Sequence, residues 1–378
     1  MTKGLPVLCA FLFLDVTSAV VPMQVTARIA GTSDRDVLPA DALSAGRKFL
    51  IASFPNLREV AYTILPDNVW RPLVLGDVGA PTAVAVDSQN ERLYVSDPPK
   101  AMIWCYKLTT TSDGLLQTFG QRQAAVQNYS AHWLAVNGLG DLYFTGHQIA
   151  TGKTETTDSI FRQDAIKIAT GDSFNPAEVY SRSNTGMPDP KAWMLSGLAV
   201  DSFHIFWGNS ADGATHGSLC KGSRKNIGLS SDQMVVKALH TGLPEVRGVT
   251  TTGTQVFWLA PEGVYGDSKA SSVTVADKQT GLIAAAPSGL KPWNPMGIAW
   301  DGGNVLYFTD SANGIIYTLP SQSIRSQSMS KFVEAPDVQS LAVLQYGSLS
   351  GNSGKSRAAS QLPFTGIVVA VLSLACLS

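Results

Sequence analysis

Few residues in this chain have the chemistry to do more than build a fold. There are 5 histidines in 378 residues. A Ser/His/Asp hydrolase needs a hydroxyl held by an imidazole base. His132 and Ser196 are a pair that could face one another, yet no Gly-x-Ser-x-Gly elbow accompanies them. His147 and His216 fall in longer loops, where either could join His132 as a pair of zinc ligands. Isolated loop histidines are more often simply solvated. His204 closes the turn Asp201-Ser202-Phe203-His204 and reads as a turn residue. The aromatic signal is stronger. Lys191-Ala192-Trp193 and Lys291-Pro292-Trp293 repeat one pattern 100 residues apart. Trp, Tyr and Arg are the usual anchors of a recognition surface, and Arg247, Tyr265 and Gln339 are expected on the same side as His132, Trp193 and Trp293. Each tryptophan is equally compatible with a plug at the end of a folding unit.

These residues meet only if the chain repeats, and it does. An apolar strand rich in small residues occurs six times, and five times a second strand with an aromatic follows. The segments are 82–87 with 93–97, 132–137 with 142–146, 196–201 with 205–209, 247–252 with 256–260, 296–301 with 306–310, and 339–344 alone. The first strands end at 87, 137, 201, 252, 301 and 344, giving steps of 50, 64, 51, 49 and 43. A β-rich unit of about 50 residues without helical periodicity has the period of a propeller blade. The sixth unit lacks its outer strands. Residues 48–53, 60–65 and 73–75, ahead of the first repeat, read as the strands that complete it. The expected fold is therefore all-β: a six-bladed β-propeller over residues 48–346, closed by pairing the N- and C-terminal strands so that no sheet edge is left open.

The residue pattern has a physical cause. Each innermost strand is covered on both faces and reads as continuously apolar. Space narrows toward the axis, which selects Ala85, Ala135, Ala199, Ala299 and Ala342. Asp87, Asn137, Asp201 and Asp301 follow the first strands, where a short side chain caps a tight turn. They are read as turn residues and not as metal ligands. The residue five before each aligned position marks the ring mouth: Thr82, His132, Ser196, Arg247, Met296 and Gln339.

Ala80-Pro81-Thr82-Ala83-Val84-Ala85-Val86-Asp87 through Leu93-Tyr94-Val95-Ser96-Asp97 resembles an NHL repeat. Leu306-Tyr307-Phe308-Thr309-Asp310, with Asn313 and Ile315, is similar to both NHL and YWTD blades of the TolB-like superfamily. Trp207-Gly208-Asn209 and Trp258-Leu259-Ala260 depart from that pattern. The resemblance implies the fold, and this fold hosts binding modules and hydrolases alike. Lactonases of the gluconolactonase and paraoxonase type hold a divalent cation at the mouth through carboxylates and amides. The six mouth positions here contain no carboxylate, and Arg247 adds a fixed positive charge. No metal, other cofactor or catalytic residue is therefore expected.

The two ends read as processing signals. Residues 1–19 carry one charge, Lys3, then an apolar run and Thr17-Ser18-Ala19, which is the pattern of a signal peptide cut after Ala19. An N-terminal extension, 20–47, precedes the propeller. A polar spacer, 347–361, precedes the uncharged apolar run 362–378, the pattern of a GPI-attachment signal with attachment at Asn352 or Ser353. A spanning helix is one rival, at the short limit and without a following basic residue. Leu362-Pro363-Phe364-Thr365-Gly366 also matches the LPxTG wall-sorting motif, but no basic tail follows. All three put the protein outside a cell. Asn128-Tyr129-Ser130 is an N-glycosylation acceptor.

Of 4 cysteines, Cys9 and Cys376 fall in the end segments. Cys105 and Cys220 belong to third strands of non-adjacent blades, farther apart than the roughly 7 Å a bridged Cα pair allows. Two buried thiols and no disulfide are expected. With 28 basic and 29 acidic residues and no Lys/Arg run, the chain lacks the basic footprint of a nucleic-acid partner. The functional expectation is a non-catalytic surface propeller, held to the outer leaflet of the plasma membrane by a lipid anchor, that binds an extracellular protein or glycan. The alternative is an extracellular hydrolase, lactonase or lyase using the same mouth.

Overall fold

The computed structural model describes residues 46–149, 157–183, 194–210, 217–224, 236–243, 245–269, 281–288, 293–322 and 327–347. The expected signal and anchor segments, with Asn352 and Ser353, lie outside the described residues, as do Trp193 and His216.

Among the described residues, strands form six four-stranded antiparallel sheets. The chain begins with β1 (Arg47–Phe54), β2 (Glu59–Ile64) and β3 (Arg71–Leu75). Blade one is β4 (Ala83–Asp87), β5 (Arg92–Asp97), β6 (Met102–Thr110) and β7 (Leu116–Gln127). Blade two is β8 (Tyr129–Val136), β9 (Leu142–Gln148), β10 (Ser159–Gln163) and β11 (Ala177–Tyr180), with a short helix, α1 (Ala165–Thr170), between the last two. Blade three is β12 (Leu195–Val200), β13 (His204–Asn209), β14 (Gly217–Ser223) and β15 (Val236–Leu243). Blade four is β16 (Val249–Thr251), β17 (Gln255–Ala260), β18 (Gly263–Ser268) and β19 (Leu282–Ala285). Blade five is β20 (Pro295–Trp300), β21 (Val305–Asp310), β22 (Ile315–Pro320) and β23 (Ser330–Glu334). β24 (Leu341–Tyr346) then pairs with β1, from Arg47 opposite Tyr346 to Ala52 opposite Leu341, and completes blade six. The first strand thus starts one residue before the expected boundary, at Arg47.

The six inner strands line a narrow channel of about 190 Å³, walled by Ala85, Ala135, Ala199, Ala299 and Ala342, with Thr250 in blade four. The second strands supply the large side chains between blades. Tyr94, Tyr143, Phe206 and Phe257 are fully buried, and each contributes roughly 2–3 kcal/mol by leaving water. Behind the inner strands, the short polar residues close the turns. Asp87 accepts the N–H groups of Gln89 and Asn90, Asn137 those of Leu139 and Asp141, Asp201 those of Phe203 and His204, and Asp301 those of Gly303 and Val305.

The Ser/Thr-Asp ending of the second strand has two jobs. The hydroxyl bonds the next blade: Ser96 Oγ donates to the Ala131 carbonyl (2.5 Å) and Thr309 Oγ1 to the Gln339 carbonyl (3.3 Å). The carboxylate caps the loop entering its own blade. Asp97 accepts from the N–H of Gly79 and Ala80, and Asp310 from the N–H of Asn294. Both aspartates are fully buried, and a buried carboxylate needs such donors. Cys105 on β6 and Cys220 on β14 are buried, and burial pushes both thiols up to about 11. Among the described residues no helix is long and apolar enough to cross a membrane.

Candidate functional site

Thr82, His132, Ser196, Arg247, Met296 and Gln339 all line one cavity of about 430 Å³ at the channel mouth. Glycine makes half of this ring tight. In blades three, four and five the mouth residue is followed by Gly197, Gly248 and Gly297. A Cβ there would lie 2.1 Å from the Arg247 carbonyl oxygen, 2.2 Å from that of Met296 and 2.7 Å from that of Gln339. Each blade therefore seats its neighbour's mouth residue against a bare backbone. In blades one and two the corresponding residues are Ala83 and Trp133.

Blades two, three and five each have a bulge in the inner strand, and blade two places a histidine in it. Its inner strand carries a β-bulge between Ala131 and Trp133, and a bulge re-aims the extra residue's side chain. That residue is His132. Opposite the bulge stands Gly146, in the motif position occupied by Asp97 and Asp310 in blades one and five. A Cβ on Gly146 would lie 2.0 Å from the Ser130 carbonyl oxygen, so only glycine lets the strands approach. Past it, β9 runs on to Gln148 and brings His147 opposite Ser130. Asp158, just ahead of β10, lies between the two imidazoles. Its Oδ1 is 2.7 Å from His147 Nδ1 and its Oδ2 is 3.9 Å from His132 Nε2. The two rings are 6.1 Å apart between centroids. A second cavity of about 430 Å³ shares His132, Asp158, Leu195 and Ser210 with the mouth and adds His147 and Arg182.

Across the mouth, Arg247 donates to Glu245 Oε2 (2.9 Å) and to Asn294 Oδ1. Asn294 is held in turn, its Nδ2 donating to Ser311 Oγ (2.6 Å). Ser196 Oγ donates to the Val246 carbonyl. The expectation of a mouth without carboxylates is therefore corrected. Asp158 and Glu245 both stand on its wall, contributed by loops that an alignment of strands does not sample, and Glu245 pairs the charge of Arg247.

Two expected mouth aromatics are elsewhere. Tyr265 does not face the mouth: it lies on β18, 5% exposed, stacked at 5.4 Å on Trp258. As a third-strand residue it is covered by its own blade's neighbours, and burial pushes its hydroxyl up to about 12. Trp293 plugs the end of blade five. Its Nε1 donates to the Ala260 carbonyl (3.1 Å), and its ring packs on Phe308 and Tyr317. His204 keeps to its turn, with Nδ1 3.6 Å from Asp201. Asn128 is exposed, with a left-handed φ of 65°, between β7 and β8.

No family model matches the chain, and no curated protein matches it. Solved structures do. A structure described as a nidogen/laminin complex is similar with a TM-score of 0.53 and 14% identity, over 80% of this chain and 99% of that one. A streptogramin B lyase structure gives a TM-score of 0.42 and 11% identity, over 77% and 75%. A catalytically inactive virginiamycin B lyase from Staphylococcus aureus with quinupristin gives 0.41 and 11%, over 68% and 71%. At these identities the likeness is one of fold. Six closed four-stranded sheets and the likeness to the nidogen/laminin structure agree: the chain is a six-bladed β-propeller.

Proposed function

We propose that this propeller is a non-catalytic binding module that takes an extracellular protein or glycan into its mouth, from a position on the outer leaflet of the plasma membrane. One observation carries the reading. Arg247, Glu245 and Asn294 are bonded together on the cavity wall, so donors, acceptors and both signs of charge stand ready in one open cavity. Such a wall suits a ligand that needs several directed hydrogen bonds, as sugar hydroxyls and peptide main chains do. Ser196 Oγ gives its proton to a carbonyl, whereas a nucleophilic serine gives it to a base. The signal and anchor patterns of the two ends support the extracellular, lipid-anchored address, and exposed Asn128 is the glycan acceptor in this reading.

The test is a panel of glycans and extracellular proteins probed with the purified protein. Arg247→Ala is expected to weaken binding at least tenfold, about 1.4 kcal/mol, with the circular dichroism spectrum unchanged. Binding indifferent to Arg247→Ala and Asn294→Ala overturns the mouth as the site. Phosphatidylinositol-specific phospholipase is expected to release the protein from cells, and retention overturns the lipid anchor.

The cluster of His132, His147 and Asp158 favours a second reading, an extracellular hydrolase or lyase. Turnover of a lactone or ester that disappears in His132→Ala would replace the first reading with this one.

A further inference from the structure

We propose that His132, His147 and Asp158 form a binding site for a zinc-class divalent cation on the wall of the mouth cavity. One ligand atom from each residue lies within 4.8 Å of the other two. Three ligands around a tetrahedral zinc, each about 2.0–2.1 Å from the ion, stand about 3.4 Å apart. The two contacts of Asp158 bracket that spacing, at 2.7 Å to His147 Nδ1 and 3.9 Å to His132 Nε2. An ion fits if the 2.7 Å contact opens by about 0.7 Å and the widest separation, up to 4.8 Å, closes by about 1.4 Å. The His132 side chain, 41% exposed, has room to make that adjustment.

The donor set selects the metal. Two imidazoles and one carboxylate suit zinc and its transition-metal neighbours, whereas calcium and magnesium take oxygen ligands almost throughout. Three protein ligands leave a coordination position open, and all three side chains line the cavity from which a ligand would approach. A bound ion would therefore present a Lewis-acidic point to a ligand oxygen.

The local fold explains how the two imidazoles come together. Of the second strands ending in Ser/Thr-Asp, those of blades one and five use the carboxylate as a loop cap. Blade two has Gly146 in that position, where a Cβ would meet the Ser130 carbonyl oxygen, and β9 runs on past it to bring His147 opposite Ser130 beside the bulge at His132. The site stands whether or not the mouth binds a glycan or a protein, because its ligands are separate from Arg247, Glu245 and Asn294.

The experiment uses the full-length protein purified in detergent, stripped with EDTA and titrated with zinc chloride by calorimetry. One zinc per chain is expected, with affinity lowered at least tenfold by His147→Ala and by Asp158→Asn. His147 lies in a strand, so the exposed His132→Gln serves as the variant that keeps the fold, with the same loss expected at an unchanged unfolding temperature. Cobalt(II) gives a second readout: a tetrahedral visible band in the parent protein and none in His132→Gln. Absence of binding at millimolar zinc overturns the site. So does stoichiometric zinc binding that survives all three substitutions, or magnesium binding as tight as zinc binding.

Discussion

Two histidine–carboxylate pairs in this propeller have similar separations and opposite surroundings. His147 Nδ1 is 2.7 Å from Asp158, and His240 Nε2 is 3.0 Å from Asp267. The second pair joins β15 of blade three to β18 of blade four. Its imidazole is 4% exposed and lies 4.9 Å from the Trp258 ring. Burial holds the His240 pKa below its ordinary value, and Asp267 opposes that shift only in part. The first pair opens on a cavity and has a second imidazole beside it. A close His–Asp contact is thus no guide to function by itself. Cover on all sides makes the pair a fastener between blades, and an open side with a further donor makes it available to a ligand.

The largest effect expected on this contrast comes from Gly146→Ala. A methyl driven against the Ser130 carbonyl should cost about 3–4 kcal/mol in urea unfolding, with zinc binding lost. A loss under about 1 kcal/mol, the range of ordinary surface changes, would show that the close approach of β8 and β9 does not need glycine. His240→Ala comes next, at about 2–3 kcal/mol, because it leaves a cavity and takes the imidazole partner from Asp267 Oδ2. His147→Ala, on the open side, should cost less than about 1 kcal/mol. Equal losses would break the comparison.

The pH dependence sharpens it further. The folded state holds His240 neutral, with a pKa below the unfolded value of 6.5. The unfolded chain therefore takes up a proton first as pH falls. Stability from this group is complete above 6.5 and declines below it, down to the lower folded pKa. His240→Gln should flatten that part of the stability–pH curve. A curve unchanged by the substitution would assign the decline to other groups. The smallest effect is a rate near zero. Cys105 and Cys220, buried between blades as His240 is, should resist Ellman's reagent until the protein unfolds. Prompt labelling of the native protein would mean that the blades part more readily than the pair at His240 suggests.

The fold was legible because blades obey a local rule. Ala85 and its four counterparts announce a narrowing axis, and Asp87 or Asp301 announces a turn, so six units could be counted from residue types alone. Closure by β1 and β24 followed from one unit lacking its outer strands. The mouth ring was legible by the same alignment. What it missed lies off the repeat. Asp158 and Glu245 sit in the mouth loops, outside the strands the repeat aligns, and Tyr265 belongs to a third strand, which adjacent sheets cover. One signal was present and unused: Gly146 where Asp97 and Asp310 stand elsewhere. A repeat residue exchanged for glycine points to a place where the backbone must come close, and here the strand that comes close carries His147.

The pairing of Arg47 with Tyr346 also fixes the molecule's posture. β24 starts next to Gln339 on the cavity wall and runs away from it, so Tyr346 is at the strand's far end with Arg47 beside it. Arg47 and Tyr346, near the two ends of the described ring, thus lie on the side opposite the mouth. A tether joined there acts as the stem of a goblet, with the bowl opening away from whatever the stem stands on. Were the stem the proposed lipid anchor, a ligand on a facing cell would reach the opening without crossing the layer of lipid headgroups.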